Sequence, residues 1–428
     1  MVEASVQQPR PAHFGLFDGL RGLAACAVFL VHGAYQFAVA RPDEDHAWYR
    51  FVIHLDVAVP IFFAISGFLL YRPFVSARVR GKPLSVRAYA QRRFLRIAPA
   101  YWVALPIIAL WLGLDEIGSA AQYLWYMFFL QLYDPDTALK AVGQAWTLAI
   151  EVTYYAFLPL FVLVLSRLGT RVRGATTIRI ELFGVLALIA FAFAWQVVTL
   201  LVFDVANAES VSPTFIRILP IQFDHLGAGM LLAVLSVWVA EARRTGAEPP
   251  LRRFVTLVED KPWIPWCLAA GIWLMVCYLG RSGGRSSYTY TDAQFFAEHV
   301  FYTPFVFCLL LPAVFGDDRR EGLIRRFLAW KPIAFVGMIS FSFYLYHFAV
   351  LVQQARWWAD WGWGNVPDRW WEWAAWLAGA FAGTVALGSI SFYVIEKPFM
   401  GLKTRGRGAR RETGPVREAV AGQAKAAP

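Results

Sequence analysis

Ten apolar blocks succeed one another along this chain, near residues 16–39, 51–71, 98–114, 145–166, 181–203, 215–240, 262–280, 298–315, 333–355 and 370–395. Most approach the roughly 20 residues that a helix needs to cross a ~30 Å hydrocarbon core. Inside lipid the backbone must satisfy its own hydrogen bonds, so blocks of this length cross as helices. Only 16% of the residues are charged, against about a quarter in soluble domains. That leaves too little charge between the blocks for a large soluble helical protein. The predicted fold is all-α: a polytopic transmembrane helical bundle of about ten spans.

One further apolar block, 121–133 (AQYLWYMFFLQLY), is too short for a crossing and suits a re-entrant or interfacial segment. The stretch 72–97 carries eight Lys or Arg and no acid, which predicts a cytoplasmic loop under the positive-inside rule. If 121–133 does not cross, the cytoplasmic segments are the amino terminus, 72–97, 167–180, 241–261, 316–331 and the tail from 396. Together they hold 31 of the 40 basic residues. A crossing at 121–133 would turn the later basic loops outward, so both termini are expected to be cytoplasmic. Placed in this way, the net charge of +10 orients the chain in a bilayer and gives no reason to expect nucleic acid as a partner. The expected organisation is a tail over 1–15, a transmembrane domain over 16–400 and a disordered basic tail over 401–428. Arg, Gly and Ala without apolar period make that last stretch a candidate to lie on anionic headgroups.

The four cysteines, Cys26, Cys267, Cys277 and Cys308, all fall inside apolar blocks. Their spacing suits neither a disulfide framework nor a zinc site, and no metal is expected. Leu23-Ala24-Ala25-Cys26 matches a lipoprotein cleavage box, but the apolar core follows the cysteine instead of preceding it. No cleaved signal is expected.

Ionisable side chains at membrane depth are costly, and each is a functional candidate. Arg21 and His32 stand in FDGLRGLAACAVFLVH. Eleven residues are about three helical turns, so both share a face and lie about 16 Å apart along the axis. Arg21 falls near the cytoplasmic end and His32 in the outer half. Arg21 reads equally as an anchor snorkelling to the headgroups, and His32 as an interhelical hydrogen bond. Glu151 in QAWTLAIEVTYYAFLP is also expected in the outer half. A buried carboxylate needs a proton or a cation, and a histidine at similar depth is a natural partner; a structural bond between spans is the alternative. Ser340, Tyr344 and His347 in GMISFSFYLYHFAV recur on one helical face, as an aromatic belt also would. Asp224 and His225 in FDHLGAGMLLA have no evident partner. Arg92, Arg93 and Arg96 in QRRFLRIAPAYW precede a span. Arg93 and Arg96 share a face with forks suited to phosphate, although basic pairs at that boundary also serve as anchors.

Together these motifs resemble the acyltransferase-three family of multi-span bacterial membrane proteins, over roughly residues 16–400. DGLRGLA with Arg21 and His32 is similar to the family's opening pattern, and FFAISGF (Phe62 to Phe68) to its second-span motif. RRFLRIAPAYW matches R-x-x-R-I-x-P-x-Y through Arg93, Arg96, Pro99 and Tyr101. WTLAIEVTYYAFLP resembles its Trp-Thr-Leu-x-x-Glu segment through Trp146 and Glu151. GMISFSFYLYH resembles its late Ser-Tyr-Ser-x-Tyr-Leu-x-His segment, and Glu396-Lys397-Pro398 its closing one. Phe341 stands where the family has tyrosine, so a hydroxyl role lapses there. The region 160–330 is poorly matched except around FDHLGAGMLLA.

The resemblance implies transfer of an acyl group, in first place acetyl from acetyl-CoA, to a hydroxyl of a cell-envelope glycan or glycolipid at the bacterial cytoplasmic membrane. It implies His32 and Glu151 as catalytic residues, with His32 as general base or transient acyl carrier and Glu151 or another buried group holding its tautomer. Arg21, Arg93 and Arg96 are the expected binders of the acyl-CoA donor. Ser66, Trp146, Asp224, Tyr344 and His347 are the expected substrate contacts. Some family members carry a fused extracytoplasmic esterase-like domain; with none expected here, acceptor choice falls to the membrane unit or to partner proteins of envelope biosynthesis. A secondary transporter, which also uses ten spans and intramembrane Asp, Glu and His, is the competing reading. Paired broken helices in two halves are not evident in the sequence.

Overall fold

The computed structural model describes residues 16–40 (side chains to 36), 48–114, 117, 119–134, 137–169, 174–203, 214–280, 291–316, 322–362 and 369–402. The expected tail over 1–15 and all but the first two residues of the one over 401–428 lie outside these. Every regular element among the described residues is helical. In chain order they are α1 (Leu16–Ala40), α2 (Tyr49–Ile53), α3 (Ala58–Val79), α4 (Val86–Leu112), α5 (Ala120–Met127), α6 (Trp146–Leu168), α7 (Ala175–Val202) and α8 (Leu219–Thr245). There follow α9 (Arg252–Asp260), α10 (Trp263–Leu279), α11 (Asp292–Phe315), α12 (Leu323–Leu328), α13 (Lys331–Met338), α14 (Ser340–Asp360) and α15 (Trp370–Ser391).

Among the described residues, eight helices are long and apolar enough to cross a bilayer, and two bent pairs raise the count to ten if each pair makes one crossing. The all-α membrane bundle expected from the apolar blocks is the fold observed. The bends are sharp: α9 and α10 meet at 86°, α13 and α14 at 83°. Helix α5 has 8 residues, about 12 Å of rise, so the short block does not cross as a helix.

One boundary differs from expectation. The basic stretch 72–97 is mostly helix, because α3 runs on to Val79 and α4 starts at Val86. Ser85 caps α4, its side chain accepting from the Ala88 amide at 3.1 Å. Hydropathy marks where lipid ends, whereas a helix ends where its capping residue stands. As a result Arg92, Arg93 and Arg96 sit in the second and third turns of α4 and not in a loop.

Close packing rests on small residues, as expected where lipid offers no hydrophobic drive between helices. Helices α3 and α8 cross backbone to backbone: a methyl at Gly229 would lie 1.8 Å from the Ala64 carbonyl oxygen, and one at Gly67 would lie 2.2 Å from that of Leu226. Helices α1 and α13 meet in the same way through Gly22 and Gly337, against the carbonyls of Ile333 and Asp18. That second crossing sets the position of Arg21, beside Gly22, relative to the bend between α13 and α14.

Candidate active site

Helices α1, α3, α4, α6 and α14 line a cavity of about 310 Å³. Arg21, Ser66, Arg93, Arg96, Glu151 and Tyr344 all line it, so six of the ten residues given a catalytic or binding role from sequence converge on one space. Thr147, Tyr155, Ser340 and Phe341 complete its polar and aromatic wall. Glu151 does not face a histidine. It accepts hydrogen bonds from the Ser66 hydroxyl and from the Tyr155 phenol, each at 2.9 Å. This overturns the expected partnership of Glu151 with His32. Glu151 belongs with the arginines, because its position on α6 turns it toward α3 and α4. The spacing of Tyr155 from Glu151, four residues on one helix, was a signal for that bond.

Charge in the cavity is unbalanced. Arg21 interacts electrostatically with Arg96, Glu151 and Asp18, and the Arg93 guanidinium lies over the Tyr155 ring, 6.0 Å from its centroid. Three guanidiniums face one cavity carboxylate, which is already bonded to two hydroxyls. The Nε atoms of Arg21 and Arg93 are buried without a hydrogen-bond partner. An uncompensated buried charge is expensive, and planar guanidinium forks match phosphate and carboxylate oxygens. A wall of this kind can hold an anion.

His32 lies outside this cavity and pairs with His347, its Nδ1 2.9 Å from His347 Nε2. The proton positions follow from the neighbours. His347 Nδ1 stands 2.6 Å from the Tyr344 carbonyl oxygen, which only accepts, so that nitrogen carries the proton. In a neutral His347 the Nε2 lone pair then accepts from the N–H at Nδ1 of His32. His32 Nε2 is thereby left as a bare lone pair without a hydrogen-bond partner among the described residues. Tyr344 links the two centres. Its side chain lines the cavity, where its hydroxyl donates to the Gln144 carbonyl at 2.6 Å and contacts Thr147 Oγ1 at 2.7 Å. Its own carbonyl holds His347.

Two expected substrate contacts fall elsewhere. Trp146 packs edge-on against Phe63 at 6.4 Å and under Arg217, behind the cavity wall. Asp224 is wholly buried in a separate cluster with His225, His299 and Gln196. His299 and Gln196 carried no motif that could have marked them, since they lie on helices far apart in sequence.

A many-helix membrane protein with a partly open cavity lined by three arginines beside a histidine pair fits either of two classes, a transferase or a transporter. The family comparison decides between them. The model described as an acyltransferase domain, that of the acyltransferase-three family, matches residues 15–392. The chain belongs to this family and is a membrane O-acyltransferase; nothing supports the transporter reading. It is 26% identical to nodulation protein 10 of Rhizobium leguminosarum bv. viciae, over 92% of this chain and 95% of that protein. It is 28% identical to the acyltransferase MdmB of Streptomyces mycarofaciens, over 38% of this chain and 43% of that protein. It is 20% identical to the O-acetyltransferase OatA of Staphylococcus aureus over 80% of this chain. There the match covers 51% of OatA, so this chain spans about half of that relative. No solved structure matches the chain.

Proposed function

We propose that the enzyme takes an acyl group, acetyl in first place, from acyl-CoA bound at Arg21, Arg93 and Arg96 and passes it to a hydroxyl of a cell-envelope glycan or glycolipid. The observation that carries this reading is the buried excess of guanidinium charge, with two Nε donors left unpartnered. A CoA thioester is polyanionic and brings the phosphates such a wall requires. Names of relatives point the same way: OatA is called a peptidoglycan O-acetyltransferase in Listeria monocytogenes.

In the proposed chemistry His32 Nε2 takes the proton of the acceptor hydroxyl. The oxygen attacks the thioester carbonyl, the carbon–sulfur bond breaks, and the proton passes to the departing thiolate. His347 performs the tautomer-holding role first expected of Glu151, while Glu151 orders Ser66 and Tyr155 and tempers the cationic wall. With basic loops inside, both termini are cytoplasmic, the cavity lies toward the donor side of a bacterial inner membrane, and His32 lies about three turns outward along α1. A metal takes no part in this scheme.

The test uses the full chain in nanodiscs with labelled acetyl-CoA and a crude envelope glycan or lipid fraction. Transfer of label with stoichiometric release of CoA is expected. CoA binding that is unchanged in an Arg93→Ala/Arg96→Ala double variant would rule the donor site out.

A further inference from the structure

Outside the catalytic region, one buried cluster brings together metal-binding chemistry from three helices. Asp224 and His225 come from α8, His299 from α11 and Gln196 from α7. One ligand atom from each of Asp224, His225 and His299 falls within 4.8 Å of the others. The carboxylate is shared: His299 Nδ1 lies 2.8 Å from Asp224 Oδ2, and His225 Nδ1 lies 3.3 Å from Oδ1. The two imidazoles stack with centroids 5.0 Å apart and planes 16° from parallel, so both present their Nδ1 edges to the same carboxylate. From these positions we infer that Asp224, His225 and His299 bind a divalent transition cation of the zinc class, holding α8 to α11.

Zinc bonds to nitrogen and oxygen are about 2.0–2.2 Å, so tetrahedral ligands stand about 3.4 Å apart. The His225 separation of 3.3 Å is close to that value, and the His299 separation of 2.8 Å is that of a hydrogen bond, which must open by about 0.6 Å through ring rotation to admit the ion. Two imidazoles and one carboxylate select zinc over magnesium or calcium, which prefer oxygen-only shells. Amide oxygens supply the fourth position. Gln196 Oε1 is buried without a partner, and its amide nitrogen already touches both Asp224 Oδ2 and His299 Nδ1, at 3.0 and 3.1 Å. Gln222 Oε1 lies 3.1 Å from His225 Nδ1. Asp56 also acts electrostatically on His225, adding negative charge around the ion. Asp224 is the sixth residue of α8 and His299 the eighth of α11, both near the starts of their helices, and Gln196 lies near the end of α7. All of these positions lie within about 10 Å of a helix end. None of the four cysteines, whose spacing gave the expectation of no metal, belongs to this set.

The full chain in nanodiscs is equilibrated with micromolar zinc, passed through metal-free buffer and assayed for bound metal by mass spectrometry. About one zinc per chain is expected, together with a higher melting temperature than the chelator-treated protein. Substitution by cobalt is expected to produce visible ligand-field absorption of a four-coordinate site. H225Q and H299Q each lose the zinc and the thermal shift, and Gln196→Leu weakens binding about tenfold. His32→Ala and His347→Ala, which remove the other histidine pair, keep both. The inference is overturned by wild-type protein that retains no zinc and gives no cobalt spectrum. Zinc that survives in both H225Q and H299Q, or that is lost only with the His32 and His347 variants, overturns it as well. The cobalt spectrum is read on wild-type protein and does not depend on any variant folding.

Discussion

His32 and His347 stand 2.9 Å apart, across the contact of α1 with α14, and the Tyr344 carbonyl on the far side of His347 decides which of the four ring nitrogens is free. The free one is His32 Nε2. A carbonyl cannot donate, so the proton order runs from it through His347 to His32 without the involvement of a carboxylate. Orientation of one histidine by another leaves the pair uncharged, which suits a site at membrane depth where an ion pair would be costly to desolvate.

His32→Ala is expected to reduce acyl transfer by 10²-fold or more, the ordinary worth of a general base. His347→Ala is expected to reduce kcat by a smaller factor, about tenfold, with little change in KM for acyl-CoA. Steady-state assays in nanodiscs measure both. Equal loss of kcat in the two variants would make His347 a direct participant rather than a positioning residue.

Arg93→Ala and Arg96→Ala are expected to raise KM for acyl-CoA by about 10- to 100-fold each, the scale of a charged hydrogen bond. Lysine at either position restores the charge but not the planar fork, and is expected to recover activity only in part. CoA binding by calorimetry, at two salt concentrations, checks the effect directly.

Glu151→Gln retains groups that can bond Ser66 and Tyr155 while removing the cavity's negative charge. CoA is expected to bind this variant as tightly as wild type or tighter. Glu151→Ala leaves two part-buried hydroxyls without their acceptor, and a lower melting temperature is expected, by about 1–3 kcal/mol of stability. If Glu151→Gln loses CoA binding, the electrostatic role assigned to Glu151 is wrong.

Gly229→Val places atoms where the Ala64 carbonyl already stands and is expected to force α3 and α8 apart, with loss of folded protein on size-exclusion chromatography. Overpacking of a side chain alone costs about 1–3 kcal/mol, and a backbone contact cannot yield as a side chain does. Gly271→Ala, on α10, meets nothing within 4 Å and serves as the control that should remain monodisperse.

The apolar blocks alone determined the class of fold, because chain length and the bilayer's demand for internal hydrogen bonding leave helices as the available solution. The run of motifs also determined the family, and the i, i+3 spacing of Arg93 and Arg96 placed both on one helical face. Tertiary structure decided the partners. Depth along a span is legible in sequence, and so is the i, i+4 pair of Glu151 with Tyr155, but rotation about the axis is not, and rotation gave Glu151 to Ser66 and gave His32 to His347. The same reason hid the Asp224 cluster: Gln196 and His299 stand 28 and 75 residues from Asp224 in the chain, and only the packing of α7 and α11 on α8 brings them to it. Arg21 and His32, both read from the first span, turn out to serve two centres on one helix, the cationic cavity and the histidine pair, with Tyr344 spanning the distance between them.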